Sequence, residues 1–402
     1  MKLKSRPDDF HVEELTSIVP QSSGEFPFYR LEKRSLSTPD AIQNLCREWR
    51  IDPRRVRYGG LKDRHAWTIQ YLTIEGGPAR KFRDALMQVE HLGYVSEHYG
   101  PQSFTGNRFS ITLRDIDKKA LSSIESELAD VQQGVVANYF DDQRFGSVSD
   151  NQFVARALIA SEMEQALKLA LCSYYEHDRS QEKQAKKLLR AEWGNWSKLA
   201  FQMPANHLQR IARHLSYQPT DFAGAFTYIP FFLRNMYLSA YQSYLWNAIL
   251  ADWILTHGTT ENLISIQQKH GQLPMLRGPI VRQHDEWKKL EIPLPSARYD
   301  LSEYESVQEN VSRVLAAEKL ELNDIRLKQF REPFFSKGTR AAWYIPEDLK
   351  HEVGWDKMHK GNRRIKLMFS LPRGAYATML IKRLTTAAPW QLTTITSTTD
   401  PE

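Results

Sequence analysis

The first part of the chain alternates between two spacings of apolar residues, and this predicts alternating helices and strands. Apolar side chains recur at helical spacing in residues 38–49, where Thr38 is a suitable N-terminal cap. Period-two alternation follows in residues 56–58 and again in residues 67–71. The stretch RYGGLKDRHAW, residues 57–67, is therefore predicted to be a loop that joins two strands.

Two further patterns extend this prediction. The alternating apolar residues of 109–113 lead through Asp117 into a helical pattern that Gly134 can end. Residues 365–371 alternate again, and PRGAYATMLIKRL after them reads as a helix. Strand and helix units of this kind indicate an α+β sheet domain.

The middle of the chain differs, because long helical patterns replace the alternation from about residue 151. The apolar residues between Leu233 and Ile249 are an example, since they recur every three to four positions. A last stretch is rich in Thr and Pro and has little apolar periodicity. We therefore predict a sheet domain in two parts, residues 1–150 and residues 349–388. A helix-rich inserted domain, residues 151–348, would separate them, and residues 389–402 would form a flexible tail.

The composition is that of a globular protein with an excess of positive charge. Hydrophobic residues make up 41% of the chain and charged residues 25%, so a real core can be buried. The start, MKLKSRPDDF, has no apolar signal-peptide stretch, and polar residues interrupt the most apolar segment, 226–255; we therefore expect a cytoplasmic protein without membrane contact. The formal net charge of +6 suggests an anionic partner such as nucleic acid.

The usual metal and nucleotide motifs are missing from the sequence. There is no GxxxxGKS/T, no GxGxxG after a strand, no HExxH and no paired Cys/His spacing. The two cysteines, Cys46 and Cys172, lie far apart and are expected to be buried, reduced thiols. Kinase, dehydrogenase and zinc hydrolase functions lose support, and we predict no metal site.

Asp63 lies in the predicted loop among cations. Lys62, Arg64 and the arginines of residues 54–57 would favour its ionised form and attract phosphate. An ionised carboxylate of this kind can act as a nucleophile or base, although an acid that merely balances a basic surface loop is an open alternative. The preceding pair Gly59-Gly60 can supply positive φ angles or a close backbone approach.

The stretch NYFDDQRFGS, residues 138–147, is a second candidate. It combines an amide, three aromatic rings and Arg144 in ten positions, which is what a site needs to read and stack a flipped base. A sheet-edge segment with Tyr139 and Phe145 in the core, and Asp141-Asp142 at a turn, would explain it equally.

The third candidate is RRIKLMFSLPRGAYATMLIKRL, in which basic residues surround Tyr376 at a predicted helix start. Backbone N–H groups at such a start could hold an anion, and Tyr376 could stack on a base. An amphipathic C-terminal helix is the open alternative.

Together the motifs resemble those of the TruD family of tRNA pseudouridine synthases, over nearly the whole chain from Lys4 to about Leu384. They occur in this order: LKSRPDDFHVEEL, YGGLKDRHAWTIQ, NYFDDQRFGS, LSAYQSYLWN, REPFFSKGTRAAWYIPEDL and LPRGAYATMLIKRL. The resemblance implies an α+β fold. Its catalytic domain would be a pseudouridine synthase domain built on a mixed, mainly antiparallel sheet with flanking helices, interrupted by an inserted α/β domain.

The resemblance also implies the site residues. Asp63, in the GxKD loop, would be the catalytic aspartate, and the substrate-binding positions would be Lys4, Phe10, Lys62, Asn138, Phe140 and Tyr376, to which we add Arg144 from the residue pattern. Tyr376 departs from the family, where phenylalanine is common. The pair Asp141-Asp142 is another departure, since glycine often follows the phenylalanine.

The implied reaction converts a uridine in RNA to pseudouridine, at position 13 of tRNA in bacterial members, with one aspartate and no cofactor. We expect tRNA as the partner, no membrane, no obligate protein partner and a monomer. Two other classes stay open: an RNA-binding or RNA-folding module of the same fold without essential catalysis, and a hydrolase that acts through Asp63. The second is disfavoured, because we find no second carboxylate, metal site or base at recognisable spacing.

Overall fold

The structure is a computed structural model that describes residues 1–174, 178, 180–330, 334–385 and 388–389. The chain divides into two compact units: unit 1 contains Met1–Val136 and Tyr344–Thr385, and unit 2 contains Ala137–Trp343. The boundaries that we expect at 150/151 and 348/349 fall later in the chain than these divisions and stay a prediction. Apart from residue 389, the predicted tail lies outside the described residues.

The elements follow one another along the chain. The first part forms strands β1 (Phe10–Leu15), β2 (Phe26–Arg34), β3 (Val56–Tyr58), β4 (Trp67–Ile74), β5 (Phe82–Arg83), β6 (Met87–Val95), β7 (Gly106–Ile116) and β8 (Val136–Ala137), with helices α1 (Thr38–Trp49) and α2 (Lys118–Gln133). The middle part forms helices α3 (Val154–Ile159), α4 (Met163–Cys172), α5 (Ser180–Ala191), α6 (Trp196–Gln202), α7 (His207–Tyr217), α8 (Phe222–Phe226), α9 (Phe231–His257), α10 (Ile280–Gln283), α11 (Asp285–Lys288) and α12 (Glu305–Ala317). Its strands are β9 (Leu263–Gln268), β10 (Gly271–Leu276), β11 (Glu291–Pro293), β12 (Thr339–Ala341) and β13 (Trp343–Tyr344). The last part forms β14 (Glu347–Trp355), β15 (Arg363–Pro372), α13 (Ala377–Thr385) and β16 (Ala388–Pro389).

Unit 1 is built on a sheet that has nine strands within the described residues, in the order β14-β15-β7-β1-β4-β2-β6-β5, with β3 also paired to β4. β1 and β4 run parallel, and the other pairings of this sheet are antiparallel. The predicted mixed, mainly antiparallel sheet is therefore confirmed. The predicted loop at residues 57–67 is confirmed as well, because it joins the adjacent strands β3 and β4.

Helix α1 packs one apolar face on this sheet, as its spacing predicts. Leu45 and Trp49 are buried in one core with Leu31 and Leu72 of the strands. The expectation that Thr38 caps the helix is wrong, because the Ser37 side chain accepts the hydrogen bond from the N–H of Asp40. Thr38 is instead the first helical residue, and its fully buried hydroxyl contacts the loop after β3.

The strand and helix predicted at residues 109–134 are confirmed as β7 and α2, with Asp117 as the N-cap and Gly134 at the C-terminal end. The late strand and helix are confirmed as β15 and α13. The basic run around Tyr376 is not one exposed patch, however. Arg383 is fully buried between the carboxylates of Glu127 and Asp130, since a buried guanidinium requires charged partners.

Unit 2 is centred on the long helix α9, which contains the predicted apolar positions. Tyr241, Leu245 and Ile249 are buried, but Met236 is exposed. Polar residues of the same helix, among them Gln242 and Asn247, are also buried, so α9 has protein on most sides rather than on one apolar face. Strands β9 and β10 pair antiparallel beside these helices. Within the described residues, no helix is long and apolar enough to span a membrane.

Candidate active site

The loop between β3 and β4 carries Asp63 and is anchored by fully buried polar side chains. The hydroxyl of Thr38 accepts a hydrogen bond from the N–H of Lys62 at 3.0 Å and donates to the side chain of Gln70 at 2.8 Å. The amide of Gln70 donates in turn to the carbonyl of Gly60 at 3.3 Å. The backbone before Asp63 is thus fixed by α1 and β4.

Lys33 of β2 anchors the same loop at its carbonyl groups. Its ammonium donates to the carbonyl oxygens of Leu36 at 2.7 Å, Asp63 at 3.0 Å and Lys62 at 3.3 Å. The residue is fully buried, and burial lowers the pKa of Lys33 to about 8, while the nearby Asp63 opposes this shift. A donor with three hydrogens therefore meets three acceptors.

The carboxylate of Asp63 is partly exposed and contacts Lys4. The Lys4 ammonium lies 2.5 Å from Oδ2, and the Asp63 side chain keeps 40% of its surface accessible to solvent. In the described part of the chain, Oδ1 of Asp63 has no hydrogen-bond partner. The arrangement leaves one carboxylate oxygen available to an incoming group.

Lys4 is itself held in an unusual conformation. Its backbone has φ 57°, the left-handed region that non-glycine residues rarely adopt, and its ammonium lies 4.1 Å from the centroid of the buried Phe10 ring. Strained backbone at a functional contact is maintained only where surrounding structure fixes it. Phe10 and Asp63 are thus both contacts of Lys4.

The segment before β1 is fixed by a buried ion network. Arg114 of β7 donates to both carboxylate oxygens of Asp9, at 2.8 and 2.7 Å, and to Asp356 at 3.1 Å. The backbone of Lys2 also pairs with that of Arg114 in both directions. Arg114 therefore holds both ends of the short segment that carries Lys4.

Lys62 contacts Glu14 rather than Asp63. Its ammonium lies 2.7 Å from Oε1 of Glu14, whose side chain is completely buried and also accepts a hydrogen bond from the Tyr99 hydroxyl. Burying a lone carboxylate is costly, so Glu14 requires this cation. Of the predicted arginine run, Arg54 pairs with Asp52. The ammonium that reaches Asp63 therefore comes from the N-terminal segment.

The two glycines before Asp63 differ in what they do. Neither has a left-handed φ, so of the two expected reasons for glycine only a close approach can apply. A Cβ on Gly59 would lie 2.8 Å from a ring carbon of Phe104, so close approach is the reason for glycine there. A Cβ on Gly60 would meet no atom within 4 Å.

Asn138, Phe140 and Arg144 lie together within unit 2. The guanidinium of Arg340 donates to the Asn138 carbonyl at 2.8 Å and to its amide oxygen at 2.6 Å, and stacks over the Phe140 ring at 4.2 Å. The Asn138 amide nitrogen donates to the carbonyl of Ala341 at 2.9 Å. Arg144 lies 5.4 Å from the centroid of the same Phe140 ring.

The rest of the 138–147 segment is packed as expected for a structural role, with aromatic side chains in the core. Tyr139 and Phe145 are fully buried, and Asn247 of α9 both donates to and accepts from the backbone of Phe140. Asp141 is buried, while the Asp142 carboxylate accepts a hydrogen bond from the N–H of Lys269. The acidic pair is thus turned into unit 2.

Tyr376 directly precedes α13 in unit 1, as expected. It is partly buried, and its carbonyl oxygen accepts a hydrogen bond from the Tyr344 hydroxyl at 3.1 Å. Of the predicted residues, unit 1 therefore brings Lys4, Phe10 and Asp63 into contact, with Lys62 next in the loop. Among the described residues, no cluster of three or more His, Cys, Asp or Glu could hold a metal ion.

Sequence reasoning missed Lys33, Glu14 and Arg340. A signal existed for the first two, because each continues an inward-facing series: Tyr29, Leu31, Lys33 in β2, and Phe10, Val12, Glu14 in β1. A charged residue at an inward position of a strand indicates a buried polar contact. Arg340 offers no such local signal, because its partner Asn138 is 202 positions away.

Comparison with solved structures identifies the class of fold. The chain superposes on the crystal structure of the putative tRNA pseudouridine synthase D from Methanosarcina mazei with a TM-score of 0.70 at 23% identity, covering 96% of this chain and 94% of that one. This likeness shows that the two chains share one fold. The family model described as tRNA pseudouridine synthase D (TruD) matches residues 1–384, so the chain belongs to the TruD family, a family of isomerases.

Curated relatives agree with this assignment over at least 91% of their length. The chain is 29% identical over 392 residues to the probable tRNA pseudouridine synthase D 1 of Methanococcus maripaludis, covering 96% of this chain and 99% of the relative. It is 30% identical over 394 residues to the probable tRNA pseudouridine synthase D 2 of Methanocaldococcus jannaschii, covering 95% and 91%. The similarity to tRNA pseudouridine synthase D of Aquifex aeolicus is 26% over 400 residues, covering 96% and 98%.

Proposed function

We propose that this protein converts uridine to pseudouridine in tRNA, at position 13, and that Asp63 is the reacting group. The observation that carries the proposal is the Asp63 carboxylate. It is partly exposed, it has an open oxygen, and it lies on a loop that Lys33, Thr38 and Gln70 immobilise. Family membership and the names of the relatives support the substrate.

The reaction breaks the bond between uracil N1 and ribose C1′, turns the base and joins C5 to C1′. The hydrogen on C5 leaves and N1 gains one, so the product is an isomer and neither oxidant nor reductant is consumed. Asp63 starts this either by covalent attack on the sugar or base, or by taking the 2′ proton to form a glycal. In both routes the reacting carboxylate must be ionised, and the Lys4 ammonium lies 2.5 Å from Oδ2 of Asp63.

The extruded base requires a pocket while it is detached from the ribose. Within unit 1 we assign packing of the base to Phe10 and Tyr376, and binding of RNA phosphate to Lys4 and Lys62. Within unit 2, Phe140 and Arg144 stay predicted contacts of the RNA. The Asn138 amide donates to the carbonyl of Ala341 and accepts from Arg340 within unit 2, and a hydrogen bond from Asn138 to RNA stays a prediction. A cytoplasmic location and a monomeric state without an obligate protein partner stay predictions from sequence.

The test compares Asp63→Asn with Asp52→Asn, which removes an exposed acid of the neighbouring turn. We expect Asp63→Asn to fold, to bind tRNA and to make no pseudouridine, a loss of at least about 10⁴-fold. Tritium release from tRNA labelled at uridine C5 measures the product. Asp52→Asn should retain activity near wild type.

Normal tritium release by Asp63→Asn would contradict the assignment. Growth complementation separates the RNA-binding module from the enzyme, because such a module would leave Asp63→Asn with the wild-type phenotype. RNA cleavage on incubation with defined RNA would identify a hydrolase instead.

A further inference from the structure

Lys33 is a buried lysine for which the proposed reaction has no chemical step. None of its surface is exposed, and among the described residues it forms no ion pair. Lysine is almost never fully buried unless it is paired, because burying an ammonium is costly. A residue kept at this cost, next to the reacting group of the proposed site, requires an explanation.

The contacts of Lys33 lie on the backbone of the Asp63 loop. Two of its three hydrogen bonds go to the consecutive carbonyls of Lys62 and Asp63, and the third goes to Leu36, in the connection between β2 and α1. The carbonyl of a residue and its side chain are attached to the same α-carbon. Holding the Asp63 carbonyl therefore restricts where the Asp63 carboxylate can point.

A neutral side chain could not replace this contact fully. An ammonium offers three hydrogens in a tetrahedral arrangement, whereas methionine offers none and glutamine offers two in one plane. Hydrogen bonds from a charged donor are also stronger than those from a neutral one. The positive charge lies next to Asp63, while Lys62 is engaged with Glu14 of β1.

We propose that Lys33 is a positioning residue, which sets the direction of the Asp63 carboxylate by holding the carbonyls of Lys62 and Asp63. This inference rests on the proposed function. It predicts that Lys33 affects the chemical step more than tRNA binding, since the Lys33 side chain is fully buried and has no surface of its own for RNA to contact. A misplacement of the reacting group by about 1 Å lowers a rate by about 10²-fold.

The first experiment removes the ammonium. Lys33→Met is compared with Lys81→Met, which removes an exposed lysine that pairs with Glu90 on the sheet edge. We expect Lys33→Met to lower kcat by about 10²-fold with KM for tRNA within about twofold of wild type, and Lys81→Met to change neither. A folded Lys33→Met with wild-type kcat, or one whose KM rises as much as its kcat falls, would overturn the proposal.

The second experiment uses pH and serves also where Lys33→Met fails to fold. Burial lowers the pKa of Lys33 to about 8, with Asp63 opposing and Lys62 reinforcing this shift. Wild-type kcat should therefore fall above about pH 8. The kcat of Lys33→Arg, whose side chain stays charged, should be the same at about pH 9 as at neutral pH. An alkaline limb at the same pH in wild type and Lys33→Arg, or no limb in wild type, would contradict the proposal.

Stability distinguishes this limb from unfolding. The pKa of Lys33 in the folded state lies below its ordinary value of 10.5, so the folded protein binds fewer protons between about pH 8 and that value. This group therefore makes unfolding less favourable as pH rises through that window, while activity falls. Wild type that makes no pseudouridine at any pH would refute the proposed function rather than the role of Lys33.

Discussion

Alanine at the two glycines before Asp63 is predicted to change stability in opposite directions: Gly59→Ala should destabilise the protein and Gly60→Ala should stabilise it. In Gly59→Ala the new Cβ would lie 2.8 and 2.9 Å from two ring carbons of Phe104, and 3.2 Å from the Tyr99 ring. Carbon atoms prefer separations of about 3.5–4.0 Å, so the Phe104 ring must move by several tenths of an ångström. That ring also lies 5.1 Å from the Lys62 ammonium, so the shift disturbs the Lys62 contact.

The magnitudes follow from these contacts. Overpacking costs about 1–3 kcal/mol, and the reduced freedom of the unfolded chain returns about 0.4–1 kcal/mol, so Gly59→Ala should lose about 1–2 kcal/mol. Gly60→Ala meets no atom within 4 Å and has no left-handed φ to violate, so it should gain about 0.4–1 kcal/mol. In a domain of roughly 150–250 residues each kcal/mol shifts Tm by about 2–4 °C.

Thermal unfolding of the two variants beside wild type measures these shifts, and tritium release measures function. Gly60→Ala should raise KM for tRNA despite its greater stability, because we expect the RNA backbone to approach Asp63 through the open space above Gly60. A loss of stability in Gly60→Ala equal to that in Gly59→Ala would refute the packing argument. Unchanged tRNA binding in Gly60→Ala would refute the close approach of RNA at this position.

Two other predictions concern the networks around the candidate residues. Arg340→Lys loses the planar guanidinium that donates to two acceptors of Asn138 while it stacks over the Phe140 ring, and should destabilise the protein by about 1–3 kcal/mol in urea unfolding; unchanged stability would contradict the role of that guanidinium. The second prediction concerns the buried carboxylate of Asp356. Burial raises the pKa of this group, but hydrogen bonds from the N–H groups of Met358 and Asp115 and from the side chains of His359 and Arg114 outweigh the effect of burial. The pKa of Asp356 in the folded protein therefore lies below 3.8. The ionised Asp356 carboxylate therefore stabilises the folded protein above about pH 4, and this stabilisation is lost as pH falls. Asp356→Asn should be less stable than wild type at neutral pH, and the two should become similar in acid. A difference in the free energy of unfolding that stays constant from about pH 3 to 7 would refute this prediction.

The elements of unit 1 could be predicted from sequence because their signals are local. β7, α2 and β15 follow from the spacing of apolar residues over about ten positions, and caps such as Asp117 add their own signature. The cap of α1 could not be predicted in this way, because Ser37 and Thr38 are adjacent hydroxyl residues with similar capping capacity. In the structure the Thr38 hydroxyl is used by Lys62 and Gln70, which are distant in sequence, and Ser37 is the residue that caps the helix.

The contacts of the site could be predicted only in part. The motifs predict Asp63, Lys4 and Phe10 as site residues, but proximity in sequence suggests Lys62 as the cation on Asp63. The buried carboxylate of Glu14 decides otherwise, and its need for a partner depends on the packing of β1 against the loop. The pairing of Asn138 with Arg340 depends on the folding of the whole middle of the chain, which no local pattern records.

The position of β15 in the sheet affects how the protein can be synthesised. β15 pairs with β7 along its length, with Phe109 opposite Phe369, so this neighbour of β7 leaves the ribosome only after residues Ala137–Trp343 of unit 2. Until then one edge of β7 exposes unpaired N–H and C=O groups, which invite pairing with other chains. A chain that ends before residue 363 should therefore tend to aggregate, although it contains Asp63 and the side chains that hold the Asp63 loop.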